Sequence, residues 1–357
     1  MTPRRVAYVV NVFPKLSETF IAGELAELRD RGVEVRILSL RRPGEALRHQ
    51  FIARAGLLGR TVYDPREFPR VLGDFRPEVL HAHFATEPAA AARALAAELG
   101  VPFTFTAHGY DVYRRPPADF AEMAAAAAAV VTVSEANARH IAGTFGVPPA
   151  RIRVIPCGVA TERFRPPGQR PDPPHIVCVA RLAPVKNQVL LLQACAILQE
   201  RGVAFRCVLV GDGPCRPELE AARARLGLER AVELVGAAEQ DEVLAWWRRA
   251  TVAVLSSESE GMPVCLMEAA ACGVPAVATA VGGVPELVED GVTGRLTPAG
   301  DAPALAAALE RLLRDPALAG RLGAAARRRA EERFSRARQM DSLLALWSGL
   351  LDAGAQH

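Results

Sequence analysis

Short apolar runs alternate with helix-like stretches along this chain, and the alternation limits its possible folds more than any other feature. In the first half, strands are predicted at 6–12, 33–40, 79–83, 103–107, 130–134 and 152–155. The stretches between them, such as 17–31 and 88–99, have helical spacing. Because parallel strands must be joined by crossover connections, the alternation predicts a parallel sheet in an α/β fold.

A proline-rich segment, RFRPPGQRPDPP at 163–174, interrupts the alternation and predicts a linker, because it suits neither a helix nor a central strand. After it, strands are predicted at 175–180, 205–210, 232–235, 252–256, 276–279 and 295–297. We therefore predict two α/β domains, at 1–165 and 175–334, joined by a linker at 166–174. The last segment, 335–357, contains an amphipathic helix that must pack on something, and the polyalanine run at 124–129 also predicts a helix.

Length, charge and cysteine content exclude several classes of protein. A chain of 357 residues suits two domains, and a net charge of +3 argues against a nucleic-acid partner. Seven cysteines without a Cys-x-x-Cys pair predict reduced core residues of a cytoplasmic protein. No apolar stretch reaches the length of a membrane span, and Asn11 interrupts the N-terminal run, which favours a strand over a signal peptide.

One acid, Glu268, lies within the apolar part of SESEGMPVCLMEAA at 257–270. Gly261 and Pro263 predict that a helix begins here, since proline is favoured near the first helical position. The amides that this places at the helix N-terminus are those of Met262, Val264 and Cys265. They predict an anion site, with Glu260 before it and Glu268 one turn after it. The layout suits a nucleotide sugar, although two acids that merely interact with the helix dipole would give the same pattern.

Two cations and two glycines follow other predicted strands of the second domain. Arg181 comes directly after the strand at 175–180, and Lys186 follows shortly. Ligands of open parallel sheets bind beyond the carboxyl ends of the strands, so these cations suit a diphosphate, with two solvated side chains as the alternative. Gly211 and Gly213, in LVGDGP, would let a ligand approach the backbone closely. No Gly-x-Gly-x-x-Gly fingerprint follows the first strand, which argues against a dehydrogenase.

The block EGMPVCLMEAAACGVPAVATAVGGVPELVEDGVTGRL, at 260–296, resembles the signature of the retaining glycosyltransferases of family 4. Glu260 and Glu268 match the Glu-x₇-Glu motif of that family, and ARLAPVKN resembles its Arg-x₄-Lys phosphate motif. In the first domain, TAHGYD resembles the active-site histidine loop. FPKLSETFI and HAHFA resemble the exopolysaccharide branch, which includes colanic-acid glycosyltransferases. The resemblance covers nearly the whole chain, but Asn187 stands where glycine is usual.

The resemblance implies the GT-B fold, with two Rossmann-like domains whose parallel sheets face each other across a cleft. It also implies that the last helix returns to the first domain. The implied catalytic residues are His108, Arg181, Lys186 and Glu260. The implied donor-binding residues are Gly211, Gly213, Gly261, Met262, Val264, Cys265 and Glu268. In these roles Arg181 and Lys186 neutralise the leaving diphosphate. Glu268 holds the ribose, while Glu260 orients the sugar and His108 contacts it from the opposite domain.

The activity implied by the resemblance is a retaining, metal-independent transfer from a nucleotide-diphosphate sugar, with no cofactor. The implied acceptor is a saccharide or a lipid-linked saccharide in surface-polysaccharide assembly. A nucleotide-sugar epimerase is the alternative, but no acid/base constellation at the sugar identifies one. A non-catalytic carbohydrate-binding protein is a third interpretation, against which the set Arg181, Lys186, Glu260 and Glu268 argues.

Two further clusters have both a functional and an ordinary interpretation. His81 and His83 lie on one face of a strand, but spacing supplies no third ligand and the chain has no Asp-x-Asp pair, so no metal site is predicted. Arg41, Arg42, Arg48, Arg54 and Arg60 mark a basic amphipathic segment with Leu47, Phe51, Ala55 and Leu58 at helical spacing. It suits either peripheral contact with the inner face of a membrane or an ordinary surface helix.

Overall fold

The computed structural model describes residues 1–44, 49–168 and 173–354, which form two compact units. The first unit consists of Met1–Gly158 together with Arg336–Gly354, and the second is Val159–Ser335. The division therefore falls between Gly158 and Val159, whereas the sequence predicts that the first domain ends at 165. The predicted linker at 166–174 lies partly outside the described residues.

The first unit is built on a parallel sheet with the strand order β3-β2-β1-β4-β5-β6-β7. Its strands are β1 (Arg5–Val12), β2 (Glu34–Arg41), β3 (Thr61–Val62), β4 (Val79–His83), β5 (Phe103–Ala107), β6 (Ala129–Thr132) and β7 (Ile152–Val154). The helices between them are α1 (Thr19–Asp30), α2 (Gln50–Arg54), α3 (Phe68–Phe75), α4 (Glu87–Leu99), α5 (Phe120–Ala126) and α6 (Glu135–Phe145). The central strand β4 is buried along its whole length, although two of its five residues are histidines. In register, Tyr8 of β1 lies opposite His81, which lies opposite Thr104 of β5.

The second unit has a parallel sheet with the order β10-β9-β8-β11-β12-β13. Its strands are β8 (His175–Val179), β9 (Arg206–Val210), β10 (Val232–Gly236), β11 (Ala250–Leu255), β12 (Ala276–Thr279) and β13 (Gly294–Thr297). Its helices are α7 (Gln188–Glu200), α8 (Arg216–Arg225), α9 (Gln240–Arg249), α10 (Val264–Ala271), α11 (Val284–Leu287), α12 (Ala302–Arg314) and α13 (Pro316–Arg333). Each unit thus has the Rossmann-like α/β fold, which confirms the predicted class. The carboxyl ends of the adjacent strands β8 and β11 are where such a sheet places its ligands.

The last helix, α14 (Arg336–Gly354), packs within the first unit. Its buried residues Met340, Leu343 and Trp347 join the hydrophobic core that β1 and α1 line. Apolar positions at helical spacing therefore form one buried stripe, as an amphipathic helix requires.

Three details of the sequence-based prediction are corrected by the structure. The strand β3 is too short to give an alternating pattern, and it was not predicted. The polyalanine run is helical only to Ala126, and β6 begins at Ala129, because the pairing of β6 with β5 and β7 overrides the helix propensity of alanine. In the basic segment, Arg41 ends β2, and a short helix, α2, and a 3₁₀ turn, Leu58–Arg60, follow, whereas Leu47 and Arg48 lie outside the described residues.

Within 1–44, 49–168 and 173–354, no helix combines the length and apolar character needed to cross a membrane. All seven cysteines lie in the described part of the chain, none of them forms a disulfide, and five are buried, as predicted for core residues.

Candidate active site

Lys186 and Glu260 form an ion pair beyond the carboxyl ends of β8 and β11. Lys186 Nζ lies 2.6 Å from Glu260 Oε1, and the Ser257 hydroxyl donates a hydrogen bond to the same oxygen at 2.6 Å. Glu260 Oε2 accepts no hydrogen bond from any residue that the structure describes. Glu260 is 8% exposed, so this carboxylate is anchored by one oxygen and has the other available in a largely desolvated place.

The charge on Lys186 depends on this pair. Burial is the largest single influence and disfavours its ammonium form, but attraction and a hydrogen bond to Glu260, together with the nearby sulfurs of Cys265 and Cys178, outweigh it and raise the pKa of Lys186 above its ordinary value. Lys186 is therefore a cation at neutral pH. An ammonium group has three donors, so one can remain on Glu260 while the others contact a bound anion.

The loop that carries Lys186 is held by its neighbours. The Ser256 hydroxyl donates to the carbonyl oxygens of Lys186 and Asn187, at 3.0 and 2.9 Å. Asn187 has a left-handed backbone, with φ of 43°, and its side chain accepts a hydrogen bond from the Leu190 amide at the start of α7. Asparagine is one of the few residues besides glycine that adopts this conformation readily, which explains how it replaces the usual glycine.

Arg181 is exposed on the loop after β8, and the glycine loop after β9 packs directly against that loop. A Cβ atom at Gly211 would overlap the carbonyl oxygen of Ala180, and one at Gly213 would overlap that of Leu182. Both positions also have φ in the region that favours glycine. These two glycines thus permit a close approach of the protein backbone itself, and through it they position the Arg181 loop.

The N-terminus of α10 lies directly after Glu260 in the chain. Pro263 is the residue before the helix, and the Leu266 amide donates back to the Pro263 carbonyl oxygen at 3.1 Å. The amides of Val264 and Cys265 precede this first backbone hydrogen bond, as is usual at a helix N-terminus. Burial raises the pKa of the Cys265 thiol, which is therefore uncharged beside these amides.

Gly261 and Met262 connect Glu260 to this helix and are buried. The turn after β12 supports the same connection, because the Gly283 amide donates to the Glu260 carbonyl oxygen at 3.2 Å. A Cβ atom at the preceding Gly282, where φ is 51°, would overlap that carbonyl oxygen. The double glycine of VGGVPE is thus explained by packing against Glu260.

Glu268 is 5% exposed, and α9 supplies two hydrogen-bond donors to it. Gln240 Nε2 donates to Glu268 Oε1 at 3.2 Å, and Trp247 Nε1 donates to Oε2 at 3.4 Å. Arg163 in turn donates to Gln240 Oε1 and forms an ion pair with Asp241 at 2.6 Å. The lone acid of the apolar run therefore accepts hydrogen bonds from two side chains of α9, which sequence reasoning did not identify.

His108 lies in the first unit, directly after β5, and is 8% exposed. Its ring packs against Phe20 and Phe84, with centroids 4.9 and 4.6 Å away, and its Nε2 lies 3.0 Å from His83 Nδ1. Burial, and then repulsion from His83, hold the pKa of His108 well below its ordinary value. Its imidazole is therefore neutral at neutral pH.

The backbone around His108 is fixed by Asp111. The Asp111 carboxyl group accepts hydrogen bonds from the amides of Ala85 and His108, at 2.6 and 2.8 Å. Burial raises the pKa of Asp111 to about 7, although both amides oppose the shift. Phe84 has a left-handed backbone with φ of 74°, an unusual conformation of the kind that recurs at functional sites.

The two histidines of β4 lie beside a buried glutamate, Glu24, that their spacing in the sequence did not indicate. Glu24 of α1 brings a carboxylate oxygen within 4.8 Å of ring nitrogens of His81 and His83, and all three side chains are buried. Glu24 precedes β4 by a long stretch of sequence and belongs to no motif, so only the packing of α1 on the sheet reveals it.

Comparison with known proteins decides the family. The family profile described as "Glycosyl transferases group 1" matches residues 160–329, and that described as "Glycosyltransferase Family 4" matches residues 17–163. The chain is also 30% identical to WcaL of Escherichia coli, a glycosyltransferase named for colanic acid biosynthesis, over 85% of this chain and 89% of WcaL. This chain belongs to the family 4 glycosyltransferases.

A second relative and a solved structure agree with this assignment. The glycosyltransferase is 28% identical to AmsK of Erwinia amylovora, named for amylovoran biosynthesis, over 93% of this chain and 96% of AmsK. HepE of Anabaena, solved in complex with UDP-glucose, superposes with a TM-score of 0.80 over 97% of this chain and 99% of HepE, at 18% identity. This likeness confirms the GT-B fold that the sequence predicts.

Proposed function

We propose that this glycosyltransferase moves a sugar from a nucleotide-diphosphate sugar to a saccharide or lipid-linked saccharide, with retention of anomeric configuration and without a metal ion. The observation that carries the proposal is the Lys186–Glu260 pair, in which the cation is already held and Glu260 Oε2 remains open.

The diphosphate is the group that these elements suit best. Lys186 supplies donors beyond the one on Glu260, exposed Arg181 supplies a second cation, and the amides of Val264 and Cys265 lie at a helix N-terminus. Negative charge grows on the diphosphate as the bond to the sugar breaks, so fixed donors stabilise the transition state more than the ground state. The same groups replace a divalent cation as the source of positive charge.

The sugar and the ribose are assigned to the two glutamates of the signature. We place a sugar hydroxyl on Glu260 Oε2, because Lys186 and Ser257 fix the other oxygen of that carboxylate. We place ribose hydroxyls at Glu268, whose carboxylate is oriented by Gln240 and Trp247. His108 contacts the sugar, as the family resemblance implies.

The acceptor and the setting follow from the relatives. WcaL and AmsK are named for the biosynthesis of colanic acid and amylovoran, so the proposed product belongs to an exopolysaccharide or a related surface polysaccharide. HepE was solved with UDP-glucose, which supports a nucleotide-diphosphate sugar as donor. We place the reaction in the cytoplasm, with peripheral contact to the inner membrane face where the acceptor is lipid-linked.

The test begins with a thermal-shift panel of UDP-, GDP-, ADP- and dTDP-sugars. The best donor is then incubated with undecaprenyl-diphosphate-linked saccharides, and the new linkage is determined by NMR. We expect a donor-dependent glycoside with the anomeric configuration of the donor. An inverted product would contradict retention. Isomerised donor in the absence of any acceptor would identify an epimerase instead.

A further inference from the structure

The proline-rich stretch begins with Arg163, and the chain around this residue is anchored within the second unit. The amides of Arg163 and Phe164 both donate to the Ala160 carbonyl oxygen, at 3.0 and 2.9 Å, which makes a turn. Phe164 is fully buried, and Arg327 Nη1 of α13 donates to the carbonyl oxygens of Thr161, at 2.9 Å, and of Phe164. The backbone from which the Arg163 side chain extends is therefore fixed.

Arg327 also joins this turn to the helix that carries Glu268. Its Nη1 donates to the carbonyl oxygen of Ala271, the last residue of α10. One guanidinium group thus holds the turn at 160–164 and the C-terminal end of α10 together. A side chain that extends from this turn to α9 can therefore act on Glu268 from a fixed position.

Arg163 contacts the first two residues of α9 with two nitrogens of its guanidinium group. Its Nη1 donates to Gln240 Oε1, and its Nη2 donates to Asp241 Oδ1 at 2.6 Å. Gln240 is 5% exposed, whereas the side chain of Asp241 is 57% exposed. An exposed ion pair contributes little to stability, and Arg327 already anchors the turn. The contact that these roles do not explain is the buried one, between Arg163 and Gln240.

This contact fixes the direction in which the Gln240 amide points. Arginine can only donate, so the atom of Gln240 that meets Arg163 must be the carbonyl oxygen, Oε1. Gln240 Nε2 is therefore the atom that faces Glu268, and it donates to Glu268 Oε1 at 3.2 Å. A reversed amide would set donor against donor at Arg163 and would leave Glu268 without this hydrogen bond.

We propose that Arg163 is a positioning residue, which holds the Gln240 amide with Nε2 towards Glu268 and thereby fixes the orientation in which Glu268 meets the ribose hydroxyls of the donor. The proposal rests on the proposed role of Glu268 at the ribose. Trp247 donates to the other oxygen, Oε2, at 3.4 Å, so each oxygen of Glu268 accepts from a side chain of α9. An acid that is oriented before the nucleotide binds loses less conformational entropy on binding.

The orientation of Gln240 can be measured without any nucleotide. In protein labelled with ¹⁵N-glutamine, we expect the Nε2 hydrogens of Gln240, assigned by their absence from Gln240→Met, to exchange slowly with solvent. Arg163→Met removes the donor but keeps an unbranched apolar stem, and we expect it to shift this signal and to speed its exchange. Arg165→Met is the control, because Arg165 is an exposed arginine of the same segment. An unchanged Gln240 signal in Arg163→Met would overturn the proposal.

Nucleotide binding tests the effect on the ribose. UDP, GDP and ADP are each compared with their 2′,3′-dideoxy analogues by isothermal titration calorimetry, and the ratio of the two dissociation constants isolates the contribution of the ribose hydroxyls. For the base that binds best, we expect a wild-type ratio of about 10-fold or more, and a ratio reduced by about 2- to 10-fold in Arg163→Met. A residue that only stabilises the fold would weaken both members of a pair equally and leave the ratio unchanged.

Two further comparisons show whether Arg163 acts through Gln240. Asp241→Asn removes the exposed ion pair but keeps the contact with Gln240, so we expect the wild-type ratio. In a double-mutant cycle, we expect Arg163→Met to reduce the ratio in the wild-type background and to cause no further reduction in Gln240→Met. Equal reductions in the two backgrounds would contradict the proposal.

A second variant covers the case in which Arg163→Met does not fold. Arg163→Gln carries an amide, which both donates and accepts, so it does not dictate the orientation of Gln240. We expect the same shift of the Gln240 signal and the same reduced ratio. A wild-type ratio in Arg163→Gln would also overturn the proposal.

The outcomes separate this inference from the proposed function. If the wild-type protein binds none of the nucleotides but Arg163→Met shifts the Gln240 signal, the proposed function fails and the orienting role of Arg163 stands. If the wild-type protein prefers the ribose and Arg163→Met keeps that preference, the inference is wrong and the proposed function stands.

Discussion

Two buried glutamates, Glu260 in the second unit and Glu24 in the first, are held in different ways. On Glu260, a cation and a hydroxyl share Oε1, and Oε2 has no partner within the described residues. On Glu24, Tyr8 and His83 bond to Oε1, and Gln339 bonds to Oε2. Glu260 can therefore accept a ligand hydroxyl on Oε2, whereas Glu24 is buried among protein partners and acts on them. The comparison therefore separates a site that binds from a site that positions.

The largest expected effect is at the cation beside the open carboxylate. We predict that Lys186→Ala lowers kcat by about 10²- to 10³-fold, because it removes a donor that stabilises the departing diphosphate, worth about 2.7–4 kcal/mol. Steady-state kinetics with saturating acceptor measures the effect. Lys15→Ala is the matched control, since Lys15 is the other lysine of the chain and also pairs with a glutamate, Glu18, at 2.5 Å. Equal rates for the two variants would remove Lys186 from the mechanism.

The second prediction concerns the open oxygen itself. Glu260→Gln keeps the size of the side chain but removes the charge that faces the sugar as its anomeric carbon becomes positive. We expect kcat to fall by about 10²-fold with little change in the KM of the donor. Glu258→Gln is the control, because Glu258 is an exposed acid in the same loop. A change in KM without a change in kcat would mean that Glu260 binds the donor equally in ground and transition states.

The difference between the two glutamates also explains what the sequence can predict. Lys186, Glu260 and Glu268 could be named as candidates because they lie after strands or near the start of a helix, and because their spacing matches the family signature. Parallel strands and their crossover helices were found for the same reason, since each gives a local periodicity. The boundary at Ala126–Ala129 was not found, because strand pairing there overrides propensity.

The partners of these residues could not be predicted, because they meet through packing between distant elements. Glu24 and Gln339 lie near opposite ends of the chain and meet because α14 packs on α1. Gln240 and Trp247 reach Glu268 from α9 without any shared motif. Gly282 belongs to the signature, but the sequence does not show why glycine is needed there. The cause is the carbonyl oxygen of Glu260, which a Cβ atom at this position would overlap.

The third prediction concerns Glu268, to which Gln240 and Trp247 each donate a hydrogen bond. Glu268→Ala would leave Gln240 and Trp247 without an acceptor in a buried place, so Glu268→Gln is the better variant. We expect the KM of the donor to rise about tenfold or more and kcat to stay nearly constant, because the ribose is unchanged during the reaction. Glu200→Gln, an exposed acid at the end of α7, is the control. If Glu268→Gln lowers kcat instead, the assignments of Glu260 and Glu268 along the donor are reversed.

The smallest expected effect is that of EDTA. Its outcome tests for a metal ion at the proposed diphosphate site of the second unit and at the buried glutamate of the first. We predict that kcat is unchanged after chelation, because Lys186, Arg181 and the helix amides supply the positive charge that a metal would otherwise bring to the diphosphate. The rate is measured after dialysis against EDTA, and again after addition of Mg²⁺, Mn²⁺ or Zn²⁺. Loss of activity that Mg²⁺ or Mn²⁺ restores would mean that the cations of the second unit are insufficient. Loss that only Zn²⁺ restores, with zinc absent from a His81→Phe variant, would mean that Glu24, His81 and His83 hold a metal ion. An unchanged rate would support an arrangement in which fixed cations of the second unit take the place of a metal ion at the diphosphate.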